Sequence, residues 1–248
     1  MVNQKSSAGV AGAMIALCTA VALLCNFGGS VSGQREAEEI AKDAALANAQ
    51  PDQGMFQGYQ QLSDPLLVLV NREIPLPETW EFLPFLVDDQ VVDRRMGEDL
   101  SRMLHDGEEE GVWLWVASGY RSRERQQALL DQAVRENREA GMGEEEALAD
   151  ALKTLALPGR SEHETGLAVD FNDVSPGFAD TKASRWLEAN AWKYGFVRRY
   201  QGDKTEVTGV EEESWHYRYV GRDHAREMEE KDLCLEEYAL YRKALGDN

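Results

Sequence analysis

The sequence predicts an α+β fold, and three observations carry that reading. Helical patterns and short β-like apolar runs are mixed beyond residue 61, without the regular strand–helix alternation of a parallel sheet. Prolines and glycines close those runs, which suits short strands. A 248-residue chain that is 43% hydrophobic and 8% aromatic can build one well-cored domain with appendages, and is not disordered throughout.

The first element is Ala8 to Phe27, an uncharged run behind Lys5 that is long enough at helical rise to cross about 30 Å of hydrocarbon. It predicts export, with residues 1–33 a signal peptide or a membrane anchor. The run exceeds the usual ~7–15 residue signal core, which favours an uncleaved anchor, while "VSG" before Gln34 offers small residues for cleavage. Cys18 and Cys25 each follow a leucine, which disfavours lipoprotein processing. Residues 34–61, rich in Ala, Gln and Glu, read as a stalk or linker.

The compact part is expected over residues 62–248. "LLVLVNREIPLP" opens it as a β-like run stopped by prolines, and "VVDRRMGEDLSRMLHDGEEEG" has helical character. "VWLWVA" (112–117) suits a buried strand. "SGYRS" turns the chain, and Ser122 caps a helix through "RERQQALLDQAVRENREAG" with Glu124 near its positive end. A second helix follows in "GEEEALADALKTLAL". Between Thr181 and Tyr194, helical spacing puts Ala183, Trp186, Leu187, Asn190 and Tyr194 on one core-facing side, and Gly195 supplies the stop. "GFVRRY" and "WHYRYV" read as strands, and "LCLEEYALYRKAL" as a closing helix.

Charge and cysteines exclude some functions. The net charge is −19, and since residues 1–33 contribute +1 from Lys5 alone, the remainder carries −20. Nucleic acid is therefore not expected as a partner, and any anionic substrate needs a locally placed cation. Cys234 is the one cysteine beyond the apolar run, so the exported part closes no internal disulfide and depends on its core.

The chemistry concentrates in "SEHETGLAVDF" (161–171). His163 and Asp170 stand on either side of a turn that Gly166 permits, with Asp170 on an apolar run where a buried carboxylate needs a positive partner. A catalytic zinc usually takes three protein ligands and leaves a fourth position open. Of four histidines, His105 lies in a polar helical tail and His224 in what reads as an exposed helix. His216, in "ESWHYRYVG", is the third candidate, with Glu213 three residues earlier as a candidate base. An ideal strand would place those two on opposite faces, so the segment must bend or enter from a loop.

These residues have a familiar arrangement. "SGYRS" followed by Gln126, "SEHETGLAVDF" fitting S-x-H-x-x-G-x-A-x-D, and "TGVEEESWHYRYVG" fitting T-G-x-x-x-E-x-W-H occur in order. Together they resemble the VanY-type zinc D-alanyl-D-alanine carboxypeptidases, from about Leu66 to Tyr241. The resemblance implies a small antiparallel sheet flanked by helices, of the Hedgehog/DD-peptidase-like kind. It implies a single Zn²⁺ held by His163, Asp170 and His216, with Glu213 as catalytic acid/base. Arg121 corresponds to the arginine that steadies substrate or oxyanion, and Gln126 and Ser161 to pocket residues. Ser214 departs from the pattern, where proline is common.

The expected function is removal of the terminal D-alanine from peptidoglycan stem peptides outside a bacterial membrane. The motifs leave open an L,D-carboxypeptidase or an endopeptidase with the same zinc chemistry. A different class, an inactive membrane-tethered wall-binding protein, is the further alternative.

Overall fold

In the computed structural model, residue 56 and residues 58–247 are described. The expected membrane segment and nearly all of the expected stalk lie outside the described residues. Among those residues, no helix is long and apolar enough to cross a membrane.

The chain folds as a mixed α/β structure around two antiparallel sheets. A hairpin of β1 (Pro84–Val87) and β2 (Gln90–Asp93) leads into α1 (Arg94–Glu109). Asp93 caps that helix: its carboxylate accepts from the Arg95 amide at 2.9 Å and the Leu83 amide at 3.0 Å. Next come β3 (Val116–Ser118), α2 (Arg123–Glu139) and α3 (Glu144–Ala151). Ser122 caps α2 by accepting from the Arg125 amide, as its position before the helical run predicts.

The second half holds β4 (Ala168–Phe171), α4 (Lys182–Asn190), β5 (Phe196–Tyr200), the short α5 (Thr205–Thr208) and β6 (Glu213–Tyr219). Helices α6 (Arg222–Lys231) and α7 (Leu235–Ala244) close it. The main sheet has the order β3-β4-β6-β5, antiparallel at every pairing. One face carries Val116, Val169, Phe171, Phe196 and Tyr217 into the main core with Met96, Leu100 and Met103 of α1. Because side chains alternate along a strand, Asp170 and His216 are turned to the other face.

Several local expectations change: Val91–Asp93, read with the helix that follows, belongs to β2, the helix expected to reach Tyr194 becomes a 3₁₀ turn after Asn190, and the one expected through residue 157 ends at Ala151. Leu66–Val70 forms no strand: Pro65–Leu67 is a 3₁₀ turn, and side chains satisfy part of the backbone that a ladder would otherwise use. Gln61 bonds both the amide and the carbonyl of Leu69, and Arg218 donates to the Leu66 and Val68 carbonyls. "VWLWVA" is not wholly buried, since only Val116–Ser118 pairs while Trp113 is 67% and Trp115 44% exposed. Residues 112, 114 and 116 face inward and the tryptophans outward, the alternation of a one-sided strand.

Candidate metal centre

β4 and β6 bring the predicted ligands together by register. Asp170 stands opposite His216 across an antiparallel pair, so both side chains share one face. His163 arrives from a 3₁₀ turn (Glu162–Thr165) that ends at Gly166 in the left-handed region, φ +75°. A Cβ there would sit 2.5 Å from Phe82 and 3.1 Å from the Asp93 amide, so glycine is needed for space as well as for φ. The Asp93 amide donates to the Gly166 carbonyl at 2.8 Å and ties the turn to the start of α1.

One ligand atom from each of His163, Asp170 and His216 lies within 4.8 Å of the other two, and all three residues are buried. His163 Nε2 is 3.1 Å from Asp170 Oδ2, and His216 Nδ1 is 2.9 Å from Asp170 Oδ1. His163 Nδ1 lies 2.8 Å from the Gly119 carbonyl, which accepts only, so Nδ1 carries a proton and Nε2 is the nitrogen that can give its lone pair to a cation once deprotonated. Gly119 itself packs on β2 so closely that a Cβ would meet the Val91 carbonyl at 2.5 Å. Two imidazoles and a carboxylate converging at these distances form a donor set that fits a zinc-type cation.

The electrostatics fit as well. Burial alone would raise the Asp170 pKa, but His163 and His216 beside it hold it well below the usual carboxylate range. His216 is the converse: burial lowers its pKa, yet hydrogen bonds to Asp170 and Glu162 dominate and raise it to about 9. Burial lowers that of His163, partly countered by Asp170. Thus a buried anion sits where a cation is favoured.

Glu213 reaches the same face. Its Oε2 is 3.8 Å from His216 Nδ1, and its side chain is 18% exposed. The bend demanded by their spacing is an irregularity in the β5–β6 register, where Arg198 pairs with Tyr217 but Tyr200 with Glu213. Two steps along β5 stand against four along β6. Burial raises the Glu213 pKa above its ordinary value and Asp170 adds to this, while His216 and Arg121 oppose it.

Arg121 lines the same cleft with Gln126 and Ser161. Its guanidinium donates to Ser118 Oγ at 2.9 Å, Asp170 Oδ2 at 3.3 Å and Gln126 Oε1 at 3.3 Å. Gln126 is buried and donates to the Ala156 carbonyl at 2.8 Å, so it braces Arg121 as well as lining the cleft. Ser161 is buried at the cleft wall. His105 stays in α1, outside the cluster. His224 is partly buried rather than exposed, bonded to Tyr238 at 2.8 Å and Asp64 at 3.1 Å.

Residues 89–222 match the family model described as VanY, D-alanyl-D-alanine carboxypeptidase. The chain belongs to the VanY family. A D-alanyl-D-alanine carboxypeptidase of Enterococcus faecalis is 42% identical over 173 residues, covering 69% of this chain and 65% of that protein's length. A VanY D,D-pentapeptidase variant solved in complex with Zn(II) aligns at TM-score 0.64 and 42% identity, covering 70% of this chain and 98% of that one. The LD-carboxypeptidase LdcB aligns at TM-score 0.60 and 32% identity, covering 71% of this chain and 87% of that one. The VanY match contains all three candidate ligands, Glu213 and Arg121, and excludes residues 66–71 and α7.

Glu162, Ser118 and the buried pair Arg199–Arg218 join the site or its supports without being marked by the sequence motifs. Glu162 occupies an unspecified position in the motif, and nothing local separates it from Glu164. Yet it contacts both arginines and His216, whereas Glu164 accepts from the Gly159 amide. Charged residues inside the strands "GFVRRY" and "WHYRYV" were the available signal, since buried charges require partners.

Proposed function

We propose that this VanY-family chain is a zinc-dependent D,D-carboxypeptidase that removes the terminal D-alanine from peptidoglycan stem peptides. The observation that carries this reading is the gathering of His163, Asp170 and His216 within 4.8 Å, beside Glu213 and Arg121 in one cleft. His163 Nε2, an Asp170 oxygen and His216 Nδ1 would hold the ion. When bound, a zinc ion lowers the pKa of water and polarises a carbonyl oxygen.

The chain's own groups do the rest. Glu213 Oε2 takes the proton of the attacking water and delivers it to the amine of the departing D-alanine, so one carboxylate serves as base and then acid. Its burial raises its basicity towards that role. Arg121, a planar and permanently charged donor, pairs with the substrate's terminal carboxylate or with charge growing on the scissile oxygen. On a surface of net negative charge it is placed where an anion must dock.

Export by the Ala8–Phe27 run and action at the outer face of the bacterial cytoplasmic membrane, or after secretion, follow from the same proposal. Residues 1–33 would be a signal peptide or anchor, 34–61 a stalk, and 62–248 the catalytic domain. The 42% identity to a D-alanyl-D-alanine carboxypeptidase and to a D,D-pentapeptidase supports D,D over L,D specificity, since the LD-carboxypeptidase LdcB is 32% identical. The test is mass loss from defined pentapeptide and tetrapeptide muropeptides by zinc-loaded protein. Loss of one alanine from the pentapeptide alone is expected. Loss from the tetrapeptide alone replaces the reading by L,D cleavage, and loss from neither supports a wall-binding protein.

A further inference from the structure

Glu162 is buried, and its two oxygens have different partners. Oε1 accepts from Arg199 Nε at 2.8 Å and from Arg218 Nη1 at 3.1 Å. Oε2 faces His216 Nε2 at 3.4 Å, long beside the usual ~2.7–3.2 Å of an N–H···O bond. The aim of Oε2 therefore depends on how firmly Oε1 is held.

Two guanidiniums against one carboxylate would leave a buried excess of positive charge. Glu236, from α7, removes it: Arg199 Nη1 donates to Oε2 at 2.7 Å and Nη2 to Oε1 at 2.5 Å, a two-pronged pairing. Asn71 donates to Glu236 Oε1 at 3.2 Å, and Arg218 Nη2 donates to the Leu66 and Val68 carbonyls at 3.0 and 2.9 Å. The cluster is thus charge-balanced and tied to α7 and residues 66–71, both outside the VanY match.

An imidazole that binds a cation through one nitrogen keeps its proton on the other, and the acceptor there fixes the ring. For His163 that acceptor is the Gly119 carbonyl. His216 turns Nδ1 towards Asp170 and leaves Nε2 to Glu162. We propose that Glu162 is a positioning residue that holds His216 with Nδ1 turned to the metal, and that Glu236 holds Glu162 in place through Arg199. The proposal rests on His216 being a zinc ligand. It makes the last helix part of the metal centre although that helix supplies no ligand.

The test compares full-length wild type with E162Q, E162D and E236Q, measuring zinc affinity by chelator competition, the visible absorption of the Co²⁺-loaded protein, and thermal unfolding. E162Q and E162D are expected to weaken zinc binding by roughly 10–100-fold and to shift the Co²⁺ bands. E162D keeps the charge but is one methylene too short to serve the arginines and His216 together. E236Q, which touches neither His216 nor Glu162, moves both readouts the same way by a smaller factor and decides the matter if the Glu162 variants do not fold. Folded variants that melt earlier yet keep wild-type zinc affinity and Co²⁺ bands overturn the proposal, because that pattern is purely structural. Wild type that binds no zinc overturns the reading of the site itself, before any variant is compared.

Discussion

Glu213→Gln is the perturbation that separates chemistry from metal binding. The amide has the size of the carboxylate, and a side chain only 18% exposed has little freedom to swing away. Its position 3.8 Å from His216 should survive the change. What disappears is the ability to accept a proton. General acid–base assistance is worth about 10²–10⁴-fold, or roughly 3–5 kcal/mol of barrier, and Glu213 is assigned both transfers, so kcat should fall within that range. Bound zinc should stay at the wild-type level, because Glu213 is not among the three proposed ligands. The assay is alanine release from a pentapeptide, alongside metal analysis of the same preparation. Turnover near wild type would remove Glu213 as the base. Loss of zinc with loss of turnover would make it a ligand instead.

Other consequences can be checked separately. Arg121→Met should lower kcat/KM by roughly 10–100-fold, from about 1.5–3 kcal/mol for a charge-assisted contact; if Arg121 grips the terminal carboxylate, the variant also stops discriminating between free-acid and C-terminally amidated peptides. Because hydrogen bonds to Asp170 and Glu162 raise His216 to about 9 in the metal-free protein, zinc must displace a proton there. Apparent zinc affinity, read by competition titration, should therefore rise by about tenfold per pH unit up to about pH 9 and then level off. The raised value also means that the metal-free fold has this contribution in full below the ordinary 6.5 and loses it as pH rises through about 9, visible as a falling Tm. Gly166→Ala combines a left-handed φ of +75° with a Cβ 2.5 Å from Phe82, and should cost about 2 kcal/mol or more, lowering Tm by about 4–8 °C or further.

The sequence disclosed this site better than its supports, for a physical reason. His163, Gly166 and Asp170 belong to one short segment, and Glu213 and His216 to another, so their spacing already implied a turn and a bend. Helix α2 was legible from its Ser122 cap and α4 from its apolar stripe. The β1–β2 hairpin was not, because its turn is Asp88–Asp89, without the glycine that usually signals one; Asp88 itself takes the left-handed conformation at φ +51°. Leu66–Val70 looked like a strand because all its apolar side chains seek the core. Its backbone is satisfied instead by Gln61 and by Arg218, which is 150 residues away from Val68. Glu162, Arg199, Arg218 and Glu236 form a cluster only after folding, and no local spacing announces partners so far apart.

The proposed activity depends on one cation held by two imidazoles and a carboxylate, and zinc-edge anomalous diffraction from crystals of the protein tests this most directly. One peak bonded to His163 Nε2, an Asp170 oxygen and His216 Nδ1 is the predicted result. Zinc bound elsewhere, or a map with no peak beside Asp170 in protein soaked with zinc, would contradict it.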